Sequence, residues 1–276
     1  LSLPKGDGPF PAVVLVHGSG PQDRDETIGP NKPFADIAHG LAAQGIAVLR
    51  YDKRTQARPQ DFSDGVSLAT ETTDDAVAAV ALLKQQPGID PARVFVLGHS
   101  QGGMLAARIA RASQAAGAIL FAAPARPILD LLREQNAYLL AQSPQIPAEA
   151  ARAHMEQLDT AIAALRRDPA ATLPALPGLT GAWWQEVEAV DVVGETRDAG
   201  LPPLLLQGGR DFQVVDADWQ RLKTGLTGQR YTFRHYPALN HLGMAGEGAG
   251  TLADYQQPGK VAAGLINDIA QWIHAR

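Results

Sequence analysis

A serine lies among glycines in Gly98-His99-Ser100-Gln101-Gly102-Gly103. The apolar run Val94–Leu97 precedes it and a helix-forming stretch follows, so the pattern G-x-S-x-G falls at a strand–turn–helix junction. Such a turn presents a serine hydroxyl, and glycines flank it because side chains there would collide. A hydroxyl is a weak nucleophile at neutral pH; it needs a base, and the base needs an orienting carboxylate. Of the late histidines, His235 falls within a strand pattern and His274 in the last turn of the terminal helix. His241 alone occupies a loop just past a strand end, in Leu239-Asn240-His241-Leu242-Gly243. Asp211, in Gln207-Gly208-Gly209-Arg210-Asp211, follows the apolar run Leu204–Leu206 and reaches the same edge. Asp216 and Asp218 fall on the next helix, where they are expected to cap or solvate it. Asp130 ranks third, since a detour separates it from its strand.

Acyl transfer also needs donors aimed at the developing oxyanion. His17-Gly18-Ser19-Gly20 follows the run Ala12–Val16, so the main-chain amides of Ser19 and Gln101 are the expected pair. His17 is expected to be a structural hydrogen-bonder, because the mechanism has no task for a second base. Asp23, Arg24, Asp25, Asp52 and Arg54 are expected to form ion pairs rather than line the entrance. Trp183 and Trp184 are candidates for the wall of an acyl pocket, the alternative being the core of their own helices.

These residues need a scaffold. Short apolar runs at Ala12–Val16, Ile46–Leu49, Val94–Leu97, Ala118–Phe121 and Leu204–Leu206, with Tyr231–Tyr236 near the end, read as strands, most of them buried on both faces. Helical stretches at Pro33–Gln44, Thr73–Gln86, Gln101–Ser113, Asp216–Thr224 and Gly259–His274 alternate with them. That alternation requires crossovers, hence a mostly parallel sheet with helices on both sides. From Arg126 to Gly200 the rhythm breaks: helical patterns occupy Ile128–Ala141 and Pro147–Arg167, a Pro-rich joint follows at Pro169–Pro177, and Trp183-Trp184 opens another helix. About seventy-five residues is too long for an ordinary connection of roughly 2–6 residues, so the segment reads as an inserted helical cap.

The 276 residues are 45% hydrophobic and 19% charged, which allows a large buried core and excludes a disordered chain. Against 24 basic residues stand 29 acidic ones, without a basic run, so nucleic acid is not an expected partner. With no cysteine there is no disulfide scaffold, thiolate metal site or cysteine nucleophile. No apolar run approaches the roughly 18–20 residues of a membrane span. The chain starts at Leu1, which reads as processing or trimming and leaves the compartment open.

The set His17–Gly20, Gly98–Gly103, Asp211 and His241, in the order Ser, Asp, His, resembles the serine α/β-hydrolase superfamily. His17-Gly18-Ser19-Gly20-Pro21-Gln22-Asp23-Arg24-Asp25, followed by Arg50-Tyr51-Asp52-Lys53-Arg54, is similar more narrowly to bacterial cap-bearing carboxylesterases. In that group a separate amino-terminal segment often precedes the hydrolase unit. The resemblance implies an α/β-hydrolase core at residues 1–125 and 201–276 with a helical cap at 126–200. It implies eight strands, the first two antiparallel, of which this chain retains at most the tail of the second. It also implies a cofactor-independent enzyme, without a metal, that cleaves small-molecule carboxylic esters through an acyl-serine at Ser100. A peptidase or acyltransferase with the same triad, and a silent ligand-binding protein on the same scaffold, remain the alternatives.

Overall fold

The computed structural model describes residues 1–63, 65–171 and 179–276. Six strands form one sheet: β1 (Phe10–Val16), β2 (Ala47–Leu49), β3 (Ile89–His99), β4 (Ala118–Phe121), β5 (Pro203–Gly208) and β6 (Thr232–Tyr236). Their order is β2-β1-β3-β4-β5-β6 and every pairing is parallel. Six strands are thus present among the described residues where the resemblance implied eight. At the β2 edge, among the described residues, the antiparallel trace is the isolated bridge from Ser2 to Val48. The strand expected at Val94–Leu97 is longer, because Phe10 pairs with Ile89 across an irregularity and recruits the polar stretch before Val94.

Side chains alternate across a strand, and the core divides accordingly. Ala12, Val14, Val16, Val94, Val96, Leu120 and Leu205 face one side; Val13, Leu15, Phe95, Leu97, Ile119 and Leu206 face the other. The second side is covered by α1 (Pro33–Ala42) and the terminal helix Ala263–His274. That terminal helix begins four residues later than the expected Gly259, because Val261 is bridged to Met244 instead. The first side takes helices Asp74–Lys84 and Gln101–Ala112. Just before Asp74 the chain is wound as a π-helix, Ala69–Thr73.

Helices Ile128–Ala141, Ala148–Leu165 and Gly181–Glu188 pack on one another between β4 and β5, and their apolar residues Leu129, Leu158, Ile162 and Val187 join the core of the first side. The joint expected at Pro169–Pro177 lies mostly outside the described residues. A further helix, Val192–Asp198, falls inside the segment expected as cap but packs on Gln101–Ala112, with an Arg108–Glu195 ion pair, and on Asp216–Gly225. Among the described residues no helix is long and apolar enough to cross a membrane.

Candidate active site

Parallel strands end on one edge, and the candidate residues leave the sheet there. Ser100 follows β3 directly and opens the helix Gln101–Ala112 at φ 55°, ψ −118°, a strained conformation for a residue with a side chain. The surrounding contacts hold it. Ser100 N–H donates to Phe121 at 2.9 Å, while a Cβ at Gly98 would lie 1.9 Å from the Gly102 carbonyl and one at Gly102 would lie 2.2 Å from that of Val16. Only glycine fits at either position, which ties the motif to the packing of the turn against β1.

Beyond β5, Asp211 is buried and accepts the N–H groups of Gln213 and Val214 at Oδ1. Its Oδ2 stands 2.7 Å from Nδ1 of His241, which is 3% exposed. The His241 loop is shaped by Asn240, whose side-chain oxygen accepts from Leu242 and Met244. Ser100 and His241 emerge on the same edge without a closed hydrogen bond between them; such contacts often tighten only when substrate binds. Ser19, Gly20, Ser100 and Gln101 line one cavity, of about 230 Å³. Neither the Ser19 nor the Gln101 main-chain N–H closes a hydrogen bond to another described residue, so both are free to donate.

The other candidates lie elsewhere. His235 is exposed on β6 beside the Trp219 ring, and His274 meets the Gln44 carbonyl. Asp130 pairs with Arg166 at the surface. Asp218 departs from expectation: it is fully buried and neither caps nor solvates its helix. It accepts the N–H groups of Ala125 and Arg126 and pairs with the Arg126 guanidinium at 3.0 Å, contacts that offset the loss of water around its charge. His17 packs between Phe34 and Tyr51 with the Asp23 backbone as its polar neighbour, and burial lowers its pKa, keeping it neutral. Among the entrance charges, Arg24 pairs with Asp52, Asp25 with Arg50 and Lys32, and Arg54 with Asp75, while Asp23 binds Thr27. Trp183 and Trp184 are both buried and both line the cavity.

Four buried charges had no signal in the sequence. His99 donates through Nδ1 to Glu26 Oε2 at 2.9 Å and through Nε2 to the His241 carbonyl at 2.8 Å. Oxygens face both ring nitrogens, and the Glu26 carboxylate raises the His99 pKa, so the site favours the imidazolium. Glu26 also accepts the Gly18 N–H at 2.6 Å. Lys53 donates to Glu71 at 2.7 Å and to the Gly18 carbonyl at 2.9 Å. Glu71 accepts from Gln101 Nε2 at 3.0 Å and from Trp183 Nε1 at 2.9 Å. Among the described residues no cluster of three or more His, Asp or Glu is arranged to hold a metal ion.

The Glu26–His99 pair carries a pH signature. Burial disfavours both charges, yet their attraction and hydrogen bond raise the His99 pKa above 6.5 and hold Glu26 below 4.5. The raised histidine stabilises the fold below pH 6.5, an effect lost as pH climbs through its folded value; the depressed carboxylate stabilises above pH 4.5, an effect lost as pH falls through its folded value. Both contributions are complete between these limits. The Tm deficit of Glu26→Gln relative to wild type is therefore expected to be largest there and to shrink on either side, as thermal denaturation from about pH 3 to about pH 9 would show.

The parallel sheet, its flanking helices and the strand–turn–helix at Ser100 define an α/β-hydrolase. Residues 8–247 match the serine aminopeptidase S33 family, and the chain belongs to that family. It is 39% identical over 274 residues to Esterase EstD of Thermotoga maritima, covering 99% of this chain and 64% of that protein, so it spans under two thirds of that relative's length. Solved structures of the same fold include Est1E from Butyrivibrio proteoclasticus, with TM-score 0.61, 16% identity and 99% and 91% of the two chains covered. Another is the esterase domain of a Rhodothermus marinus protein, with TM-score 0.57, 18% identity and 99% and 90% covered.

Proposed function

We propose that this chain is a serine carboxylesterase in which Ser100 attacks the ester carbonyl, His241 accepts and returns the proton, and Asp211 orients the ring and compensates its positive charge. Ser19 and Gln101 N–H groups bind the oxyanion, and water releases the acyl group from Ser100. The observation that carries the reading is the cavity wall. Beside Ser100 it is built from Pro124, Ile128, Leu132, Trp183, Trp184 and Val187, and among the described residues that line it none is acidic. An aminopeptidase needs a negative charge for the α-ammonium of its substrate, whereas an acyl group needs an apolar wall. The similarity to Esterase EstD supports the same reading.

The test is a panel of p-nitrophenyl esters of increasing acyl length beside aminoacyl p-nitroanilides. Ester hydrolysis without anilide cleavage is expected, together with stoichiometric labelling of Ser100 by a fluorophosphonate; anilide cleavage at a comparable rate would favour a peptidase. On the same panel Trp184→Ala is expected to change the relative kcat/KM of short and long esters, because each methylene buried against the wall contributes about 0.8 kcal/mol. An unaltered profile with lowered Tm would assign Trp184 to packing alone.

A further inference from the structure

We propose that Lys53 is a positioning residue for the oxyanion hole, its ammonium acting through the Gly18–Ser19 peptide on the Ser19 N–H; this rests on the serine-esterase reading above. The peptide unit is planar and trans, so its carbonyl and its N–H point in opposite directions. Lys53 Nζ stands 2.9 Å from the Gly18 oxygen, and its side chain is buried. Fixing the carbonyl fixes the direction of the Ser19 N–H, and a positive charge on the oxygen draws electron density from the nitrogen, making that N–H a stronger donor to an oxyanion. The peptide lies against the nucleophile: a Cβ on Gly18 would come within 3.3 Å of Ser100 Cβ and 3.7 Å of Ser100 Oγ. The preceding peptide is held as well, since its Gly18 N–H donates to Glu26 at 2.6 Å.

Glu71 keeps the ammonium in place. Lys53 and Glu71 side chains are 2% and 3% exposed and 2.7 Å apart. The second oxygen of Glu71 holds the side chain of Gln101, whose backbone supplies the other candidate donor, and the indole N–H of Trp183 on the cavity wall. One buried ion pair therefore reaches both halves of the hole and the acyl wall. Glu71 sits in the π-helical turn Ala69–Thr73, a departure from α-geometry of the kind found at functional sites. Stability alone is a weak reason to retain such a pair, because packed apolar residues of similar size often do as well or better.

The experiment compares Lys53→Met, Lys53→Arg and the double variant Lys53→Met/Glu71→Gln with wild type. The double variant removes both charges together and leaves no buried ion without a partner, so it reports on the cation even where Lys53→Met alone does not fold. Each protein is checked for its circular dichroism and Tm, then assayed for kcat and KM on p-nitrophenyl acetate and for inhibition by a trifluoromethyl ketone, which forms a tetrahedral oxyanion adduct on Ser100. Direct removal of one oxyanion donor costs about 10²–10³ in kcat. Weakening one through its peptide is expected to cost roughly 10-fold to 100-fold, with KM changed far less and ketone affinity weakened by the same factor as kcat. Lys53→Arg is expected to recover part of the loss. A folded double variant with wild-type kcat and ketone affinity, or a loss confined to KM, overturns the proposal. A wild-type protein that hydrolyses no ester and resists fluorophosphonate overturns the esterase reading, and this inference with it.

Discussion

Ser100→Ala is expected to lower ester turnover by about 10⁴–10⁶-fold while leaving the fold intact. The change deletes one hydroxyl and keeps the Cβ, so the strained φ of 55° and the Ser100 N–H bond to Phe121 are retained. What remains is the contribution of the oxyanion donors and of the cavity, which act on an attacking water far less effectively than on a positioned alkoxide. The checks are kcat with p-nitrophenyl acetate, loss of fluorophosphonate labelling and a superimposable circular dichroism spectrum. Activity above a tenth of wild type would reject Ser100 as the nucleophile. His241→Ala belongs to the same class, whereas His235→Ala, at an exposed position on β6, is expected to leave turnover unchanged.

Asp211→Asn is expected to cost on the order of 10⁴ in kcat. The carboxylate oxygen 2.7 Å from His241 Nδ1 accepts a hydrogen bond from the proton held on that nitrogen and so leaves Nε2 free as the base. An asparagine can turn its NH₂ toward the ring, favour the wrong tautomer and give no charge to balance the imidazolium formed during attack. The backbone donors at Gln213 and Val214, which Asp211 Oδ1 accepts, can still bind the amide oxygen, so the loss is expected in kcat with little change in Tm. Asp130→Asn and Asp218→Asn separate this effect from charge removal in general. Asp130 is an exposed partner of Arg166, and its loss is expected to be silent. Asp218 is buried against Arg126 and two backbone N–H groups, so its loss is expected to lower Tm and leave the chemistry in place. A large kcat loss in Asp130→Asn with none in Asp211→Asn would move the acid to the earlier strand.

The sheet was legible because parallel strands are buried on both faces and therefore appear as continuous Val, Ile and Leu runs. Residues at their carboxyl ends share one edge whatever lies between them in sequence. Ser100, Asp211, His241 and the His17–Gly20 loop can accordingly be grouped from the sequence, since each lies within a few residues of a strand's carboxyl end. Elements that break the apolar pattern were less visible. Ile89–Arg93 carries no strand pattern because Asp90 and Pro91 interrupt the run, and Val192–Asp198 reads as part of the cap segment because a short helix with little periodicity does not show which neighbour it packs on.

Local sequence determined where this chain turns, which segments cross the core and which serine, aspartate and histidine reach the common edge, because backbone strain, side-chain volume and apolar periodicity act within a few residues. Tertiary structure alone decided the fate of the charges. Glu26, His99, Lys53, Glu71 and Asp218 carry side chains that water solvates well, and nothing within a few residues of any of them announces burial. Each is buried only because its partner arrives from elsewhere in the chain: His99 lies 73 positions from Glu26, Glu71 18 from Lys53, and Asp218 92 from Arg126. The free energy that offsets their desolvation exists only when those distant segments meet, so it leaves no local pattern in the sequence.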